Sequence, residues 1–250
     1  MADPIRLHIL DTPVDVVDMA GALAFVEARV RAGGPPGCIL AVNPEKVYAL
    51  RTSQFLRDFF EQAALLIPDG IGMVWAMRCL HHAPAVRVPG ADLMQAICAA
   101  APAKGYRLFV YGAREDVNAG AVAELQRRHP GIQFVGRANG YVPDAELPAL
   151  VQRINDSGAD ILFVALGSPR QEQWLHANLA QLRVKLCQGI GGTLDTITGH
   201  VQRAPVWMQR LNLEWFYRLL KQPTRVGRQM RLARFALAVI AARLRGHPSA

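Results

Sequence analysis

Short apolar runs rich in β-branched residues alternate with longer helical patterns through the first 200 residues, and this alternation limits the folds open to the chain. The runs predict strands over residues 5–10, 38–42, 65–67, 107–111, 133–135, 161–166 and 184–187. Helices are predicted from a cap at Asp15 through residue 30, and over residues 91–103, 117–129 and 145–155. Regular alternation is typical of parallel βαβ units. We therefore expect an α/β fold with a Rossmann-like parallel sheet and helices on both faces.

Composition is that of a folded protein. Hydrophobic residues make up 51% of the chain and charged residues only 19%, which argues against disorder. No two of the 4 cysteines have CxxC spacing, so we expect reduced thiols in a reducing cytosolic compartment rather than a disulfide framework. The longest apolar run, residues 235–242, is far shorter than the roughly 20 residues that span a bilayer.

Basic residues are concentrated at the C-terminal end. From residue 203 onward, ten Lys and Arg residues stand against one acid, Glu214, whereas the net charge of the whole chain is +8. We expect two units, an α/β catalytic domain over residues 1–202 and a basic amphipathic helical appendage over residues 203–250. This asymmetry implies an acidic partner, such as a phosphate-bearing substrate, an anionic membrane or nucleic acid.

Two interpretations of the basic segment stay open. Arg218, Lys221, Arg225 and Arg228 recur every three or four positions, which places them on one helical face among aromatic and aliphatic residues. A basic, aromatic-rich helix of this kind can lie in the headgroup plane of a membrane. A terminal helix packed on the body with a solvated arginine face has the same pattern.

Polar and glycine-rich segments follow the predicted strands. They are Asn43-Pro44-Glu45, Pro68-Asp69-Gly70, Gly112-Ala113-Arg114, residues 167–172 and residues 189–195. Ligands bind beyond the carboxyl ends of parallel strands, and glycine lets the backbone approach a phosphate. The dinucleotide fingerprint fails, because the position of its third glycine is Leu194. Ordinary strand-to-helix turns explain these glycines equally well.

Asp69 is the candidate general base, since a carboxylate at a strand end can take a proton from an attacking hydroxyl. Pro-Asp-Gly is also a common turn sequence. The histidines lack metal-ligand spacing with cysteine or carboxylate, and the chain has no Asp-x-Asp pair. We therefore expect no metal site.

Taken together and in this order, the motifs resemble the WecG/TagA/CpsF family of bacterial glycosyltransferases. The resemblance runs from about residue 5 to about residue 236. Its most specific segments are residues 87–93 (RVPGADL) and 167–172 (GSPRQE), and Gly140-Tyr141 and residues 191–195 add weaker support.

The resemblance implies inverting, metal-independent transfer of a sugar from a UDP-sugar of the UDP-glucose or UDP-N-acetylmannosamine type. The acceptor implied is a polyprenyl-pyrophosphate-linked glycan in exopolysaccharide, capsule or wall polymer biosynthesis. The implied partners are the donor, the acceptor, the cytoplasmic membrane surface and a second copy of the chain in a homodimer. We expect no cofactor and no nucleic acid. The implied location is cytoplasmic, peripherally attached to the inner face of the cell membrane.

Site residues follow from the same resemblance. Catalytic roles fall on Asp69 as the base, on Arg87 and on Gln171. Donor and nucleotide binding is expected at Asn43, Gly112, Tyr141, Gly167, Gly191, Gly192 and Asp195, and pyrophosphate or lipid contact at Arg218, Arg225 and Arg228. Family members usually carry Thr where this chain has Ala41, which removes a hydroxyl from the donor side.

Two other classes of function compete with this interpretation. One is a non-catalytic protein that binds an anionic membrane or nucleic acid through the basic tail alone. The other is a different nucleotide-dependent enzyme on the same scaffold, such as a dehydrogenase or a methyltransferase. The failed glycine fingerprint argues against the dehydrogenase, and fold analogy alone does not choose among these enzymes.

Overall fold

A computed structural model describes residues 4–202, 204–205, 207–208, 216–217 and 226–245, with the backbone alone for 226–230. The main sheet consists of β3 (Gly37–Val42), β4 (Leu65–Pro68), β5 (Arg107–Gly112), β6 (Gln133–Ala138), β7 (Ile161–Ala165) and β8 (Leu186–Gly189). These six strands are parallel and lie in the order β4-β3-β8-β7-β5-β6. The predicted α/β, Rossmann-like sheet is confirmed.

Helices surround this sheet. They are α1 (Met19–Ala32), α2 (Pro44–Thr52), α3 (Gln54–Glu61), α4 (Ile71–His81), α5 (Gly90–Lys104), α6 (Glu115–Arg128), α7 (Leu147–Asp156), α8 (Arg170–Asn178), α9 (Thr193–Ile197) and α10 (Val226–Leu244). Buried side chains form two clusters, because successive strand residues point to opposite faces. One cluster contains α2, α3, α4, α7, α8 and α10, and the other contains α1, α5, α6 and α9.

The N-terminal segment differs from the prediction. Residues 5–10 were expected to form a strand leading to a helix capped by Asp15, but they contribute β1 (Arg6–Ile9) of an antiparallel hairpin with β2 (Thr12–Asp15). Leu10 and Asp11 turn the chain with φ of 50° and 64°, as a type I′ turn requires. The cap prediction is wrong because Asp15 is buried in β2, where its carboxylate pairs with Arg6.

The hairpin protects the exposed side of the edge strand β4. Asp15 Oδ2 accepts a 2.8 Å hydrogen bond from the backbone N–H of Leu66. The segment between α4 and α5 adds a second contact, in which the N–H of Val88 donates to the carbonyl of Pro68 at 2.8 Å. Both contacts occupy backbone groups of β4 that could otherwise pair with another chain. The true cap of α1 is Asp18, which accepts from the N–H of Gly21 at 2.7 Å.

Other predicted elements shift or were missed. The last strand begins two residues later than expected, at Leu186. Three helices that precede α5 were not predicted, and α2 and α3 are short helices capped by Asn43 and Ser53. The third, α4, begins after Gly70 without a side-chain cap, so its start carries no local sequence signal.

The C-terminal helix α10 packs on helices α2 and α4 of the body. Phe235 and Val239 are fully buried against α2 and α4. Leu232 and Phe235 lie within 4 Å of the position that a Cβ would take on Gly72, near the start of α4. At its far end, Arg243 contacts Nε2 of His82 at 3.1 Å, beyond the end of α4. Helices α10 and α4 therefore run side by side in the same direction.

None of the helices in the described part of the chain has the length and apolar character needed to span a bilayer.

Candidate active site

A crevice lies at the carboxyl edge of the sheet. Strands β3 and β8 are neighbours, and the helices that follow them, α2 and α9, lie on opposite faces. Loops that diverge in this way leave a ligand-binding crevice between them. The predicted residues at this edge are Asn43 after β3, Asp69 after β4, Gly112 in β5, Tyr141 after β6, Gly167 and Gln171 after β7, and Gly191, Gly192 and Asp195 after β8.

Asp69 and Arg87 come together at the β4 side of this crevice. The Asp69 N–H donates to the carbonyl of Val42 at 2.8 Å, which ties the loop to β3. Its Oδ1 lies 3.8 Å from Nη2 of Arg87, and its Oδ2 accepts a long 3.4 Å hydrogen bond from the N–H of Gly90. The side chains of Asp69 and Arg87 are 29% and 20% exposed. A carboxylate in this place can accept a proton from a hydroxyl, and the guanidinium beside it can hold it in position.

Asn43 is held as the cap of α2. Its Oδ1 accepts a 3.0 Å hydrogen bond from the backbone N–H of Lys46. Because the cap uses the carbonyl oxygen, a ligand at this end of the crevice meets the amide nitrogen of Asn43 as a donor.

Gln171 joins the loops that follow β7 and β8. Its Oε1 accepts a 3.0 Å hydrogen bond from the N–H of Gly191, and its Nε2 lies 3.3 Å from Oε1 of Glu172. The side chain is buried against Gly189, where a Cβ would lie only 2.8 Å from Nε2 of Gln171. A glycine at position 189 therefore gives the Gln171 amide its space. The structure brings together the two predicted residues Gln171 and Gly191.

Sequence reasoning missed Lys46, which lies beneath these loops. Its Nζ donates to Oε1 of Glu172 at 2.5 Å and to Oγ of Ser168 at 2.6 Å. The side chains of Lys46 and Glu172 are 11% and 1% exposed, so this is a buried ion pair. The Lys46 ammonium also lies 5.5 Å from the ring centroid of Phe60. A lysine in the first turn of a helix carries no sequence signal for such a contact.

Gly112 and Asn118 shape the far end of the crevice. A Cβ on Gly112, whose φ is 127°, would lie 2.4 Å from the backbone of Ala165, so the approach of β5 to β7 requires glycine here. Asn118 is fully buried, and its Nδ2 donates to the carbonyls of Gly112 and Ala138 at 2.8 and 2.9 Å. Asn118, which was not predicted, thereby joins the ends of β5 and β6.

The loop after β6 presents Tyr141 to solvent. The side chain is 70% exposed, and its backbone N–H donates to Oδ1 of Asn139 at 2.9 Å. Asn139 Nδ2 in turn donates to Oε2 of Glu115 at 3.1 Å. Hydrogen bonds from Arg137 and then from Asn139 lower the pKa of Glu115, so this anchor is ionised at neutral pH. An exposed aromatic ring held in this way can stack on a nucleobase.

The remaining predicted residues are spread over the same edge. Gly191 and Gly192 form the loop before α9, and Asp195 lies in that short helix, partly buried. Tyr141 follows the edge strand β6, which lies three positions from β8 in the sheet. The structure thus places Tyr141 and Asp195 over different strands.

Of the three predicted tail arginines, Arg218 and Arg225 lie outside the described residues, and Arg228 is described by its backbone in the first turn of α10. That turn is four residues, or about 6 Å of helix, before Leu232, which contacts the start of α4. The helix that carries Arg228 therefore begins on the side of the body where the Asp69 loop leads into α4. Within the described part of the chain, no three His, Cys, Asp or Glu side chains come together in a cluster able to hold a metal ion.

Comparison with known proteins identifies the family of the chain. Residues 7–249 match the glycosyl transferase WecG/TagA/CpsF family. The chain is 38% identical over 203 residues, 81% of its length and 78% of its relative's, to the N-acetylglucosaminyldiphosphoundecaprenol N-acetyl-β-D-mannosaminyltransferase of Bacillus subtilis (strain 168). This similarity decides against the non-catalytic alternative and the other nucleotide-dependent enzymes. The chain belongs to the WecG/TagA/CpsF family and is a glycosyltransferase.

Proposed function

We propose that the protein transfers a sugar from a UDP-sugar to a polyprenyl-pyrophosphate-linked glycan in the synthesis of a bacterial wall polymer, capsule or exopolysaccharide. The observation that carries this proposal is the placement of Asp69 beside Arg87 in the crevice. The name of the Bacillus subtilis relative supports it, since that protein acts on a glycan carried by diphosphoundecaprenol.

The donor is a UDP-sugar of the N-acetylmannosamine or glucose type. The relative transfers an N-acetyl-β-D-mannosaminyl group, which favours the first. Tyr141 stacks on the uracil, and the loops at Gly112, Gly167 and Gly191-Gly192 approach the diphosphate, with Asp195 close to the nucleotide. The Asn43 amide donates to the sugar. Ala41 offers no hydroxyl to the donor and therefore allows a different sugar from that of family members with Thr.

The reaction is a single displacement with inversion. Asp69 takes the proton of the acceptor hydroxyl while that oxygen bonds to the anomeric carbon of the donor. The bond from the anomeric carbon to the β-phosphate oxygen breaks at the same time, and UDP leaves with its electron pair. Arg87 holds the Asp69 carboxylate in position for the transfer.

Arginines from residues 203–250 neutralise the leaving diphosphate without a metal ion. The guanidinium group suits this role because its planar fork can bind two phosphate oxygens. We assign it to Arg218, Arg225 and Arg228. The position of α10 supports the assignment, because this helix begins near the start of α4.

The appendage also attaches the enzyme to the inner face of the cytoplasmic membrane. Leu237, Ile240 and Leu244 are exposed on α10, on the side opposite the buried Phe235 and Val239. Exposed arginines at positions 231, 234, 243 and 245 flank this apolar stripe. An apolar stripe beside cations suits the headgroup region of an anionic bilayer. We also propose that the protein forms a homodimer in solution.

A UDP-release assay tests the proposal. Purified protein is supplied with UDP-N-acetylmannosamine, UDP-glucose or UDP-N-acetylglucosamine, and with a short-chain polyprenyl-pyrophosphoryl monosaccharide. We expect acceptor-dependent UDP release with one donor, unchanged in the presence of EDTA. Absence of release with every donor would contradict the proposed substrate class, and loss of release in EDTA would contradict the metal-independent mechanism.

A further inference from the structure

The Lys46–Glu172 ion pair is the strongest feature near the crevice that the proposed mechanism does not use. Lys46 is the third residue of α2, where the helix dipole disfavours a cation, and its side chain is buried as well. Glu172 occupies the first turn of α8, where the dipole favours a carboxylate. Local helix preference therefore explains Glu172 and opposes Lys46.

Stability alone does not explain the pair. Removing two charges from water carries a desolvation penalty that their attraction often only balances, and apolar residues of similar volume commonly stabilise a fold equally well. An apolar group, the fully buried ring of Phe60, lies beside the Lys46 ammonium, at 5.5 Å from its centroid. Since stability does not account for the desolvation penalty of this ion pair, its role is better explained by the groups that it contacts.

The contacts of the pair lead to the crevice. Lys46 binds Oε1 of Glu172 and the hydroxyl of Ser168, which precedes α8 in the loop after β7. The same Oε1 lies 3.3 Å from Nε2 of Gln171. With its nitrogen directed to Glu172, the Gln171 amide turns its oxygen toward the N–H of Gly191. Lys46 thus fixes the carboxylate of Glu172, and this carboxylate orients the amide of Gln171. The Gln171 amide in turn holds the loop after β8.

We propose that Lys46 and Glu172 are positioning residues for the donor: through Gln171 they hold the Gly191 loop in the conformation that receives the diphosphate of a nucleotide sugar. This inference rests on the proposed function, in which that loop approaches the donor. Neither residue contacts the substrate. Because the loop is ordered before the donor arrives, binding avoids the entropic cost of ordering it.

The test separates positioning from stability. Lys46→Met leaves Glu172 without its cation and lowers the unfolding midpoint. In the double variant Lys46→Met/Glu172→Met the charges are gone together, so we expect the midpoint to return to the wild-type value or above. If the pair positions the loop, the KM for the donor in the double variant remains raised about tenfold, the loss expected from a hydrogen bond to a charged group, while kcat changes less. Lys46→Arg, which keeps the charge, recovers part of the loss.

Lys185→Met is the matched control. Lys185 forms a 2.6 Å ion pair with Asp160 at the amino edge of the sheet, away from the crevice. We expect its donor KM to equal that of wild type. A double variant at positions 46 and 172 that regains both wild-type stability and wild-type donor KM would overturn the inference, because the pair would then be structural only.

A second measurement needs no substrate. The Gly191 amide proton is bonded to Gln171 in the wild type, so its hydrogen exchange reports the loop directly. We expect faster exchange at Gly191 in the stable double variant, and unchanged exchange there overturns the inference. If wild-type protein releases no UDP from any donor, the proposed function fails, whereas the exchange result still decides whether Lys46 and Glu172 position the loop.

Discussion

The two sides of the crevice are built in different ways. On the β4 side, Asp69 and Arg87 keep part of their surface open to solvent and meet at 3.8 Å. On the β7–β8 side, Lys46, Glu172 and Gln171 are buried and joined by contacts of 2.5 to 3.3 Å. The first side presents charged groups that are accessible to a substrate, and the second presents a backbone loop held from beneath.

This difference suits the roles proposed for the two sides in the glycosyl transfer. A general base must reach the acceptor hydroxyl and change its protonation state during turnover, so it needs access and adaptable contacts. A diphosphate-binding loop acts through fixed N–H dipoles, which are most effective when they do not reorganise during the reaction. Substitutions on the β4 side should therefore change kcat with little effect on folding, whereas those beneath the β8 loop should change stability and donor KM.

The largest effect is expected at Asp69. Asp69→Asn keeps the shape of the side chain but removes its ability to accept a proton, so kcat should fall by about 10²-fold or more. Donor binding, measured by calorimetry with UDP, should change little, since the amide is isosteric with the carboxylate. Turnover is followed by UDP release.

Asp156→Asn serves as the comparison for this variant. Asp156 is exposed at the end of α7, at the opposite edge of the sheet from the crevice, and it accepts a 2.8 Å hydrogen bond from Gln152. It should retain wild-type turnover. If Asp69→Asn also retained it, another group would have to be the base.

Arg87 ranks second. Arg87→Gln removes the cation that lies 3.8 Å from Asp69 and holds its carboxylate in place; because a small misplacement of a reacting group can cost about 10²-fold, kcat should fall about 10- to 100-fold. Arg31→Gln, at an exposed ion pair in the last turn of α1, should leave kcat unchanged. If the Arg87→Gln variant lost donor affinity but kept kcat, Arg87 would be assigned to the donor rather than to the base.

Much of this arrangement could be predicted from local sequence. The sheet follows from apolar runs whose strands are buried on both faces, and the position of Asp69 follows from its place directly after such a run. Parallel strands bring their carboxyl ends to one edge, so residues distant in sequence meet there without knowledge of any individual contact.

The wrong and missing predictions concern contacts between distant segments. Leu10 and Asp11 form a type I′ turn without the Asn-Gly pattern that identifies such turns, so the hairpin was not predicted. Asp15 is a residue type that commonly caps helices, but here it lies in a strand. Its carboxylate pairs with Arg6 and accepts a hydrogen bond from the N–H of Leu66 at the edge of the sheet. Lys46 pairs with a glutamate 126 positions later, and nothing near it in sequence indicates burial.

The next smaller effect is expected at Tyr141, which follows β6 at the same edge of the sheet. Tyr141→Ala removes the exposed ring, and loss of base stacking should raise the donor KM roughly tenfold with kcat nearly unchanged. Tyr141→Phe keeps the ring and should behave as wild type. Equal losses in both variants would assign the effect to the hydroxyl and exclude stacking as the role of Tyr141.

The smallest change is expected at Ala41, which lies at the boundary between the two sides. Its Cβ is 3.6 Å from the position that a Cβ would take on Gly90, whose N–H contacts Asp69. At the place proposed for the donor sugar, Ala41→Thr adds a hydroxyl, and a neutral hydrogen bond contributes about 0.5–1.5 kcal/mol. The ratio of kcat/KM between UDP-N-acetylmannosamine and UDP-glucose should therefore shift about threefold to tenfold. Ala41→Val adds the bulk of threonine without the hydroxyl. If both variants shift the ratio equally, steric fit at the end of β3, rather than a hydrogen bond, selects the donor.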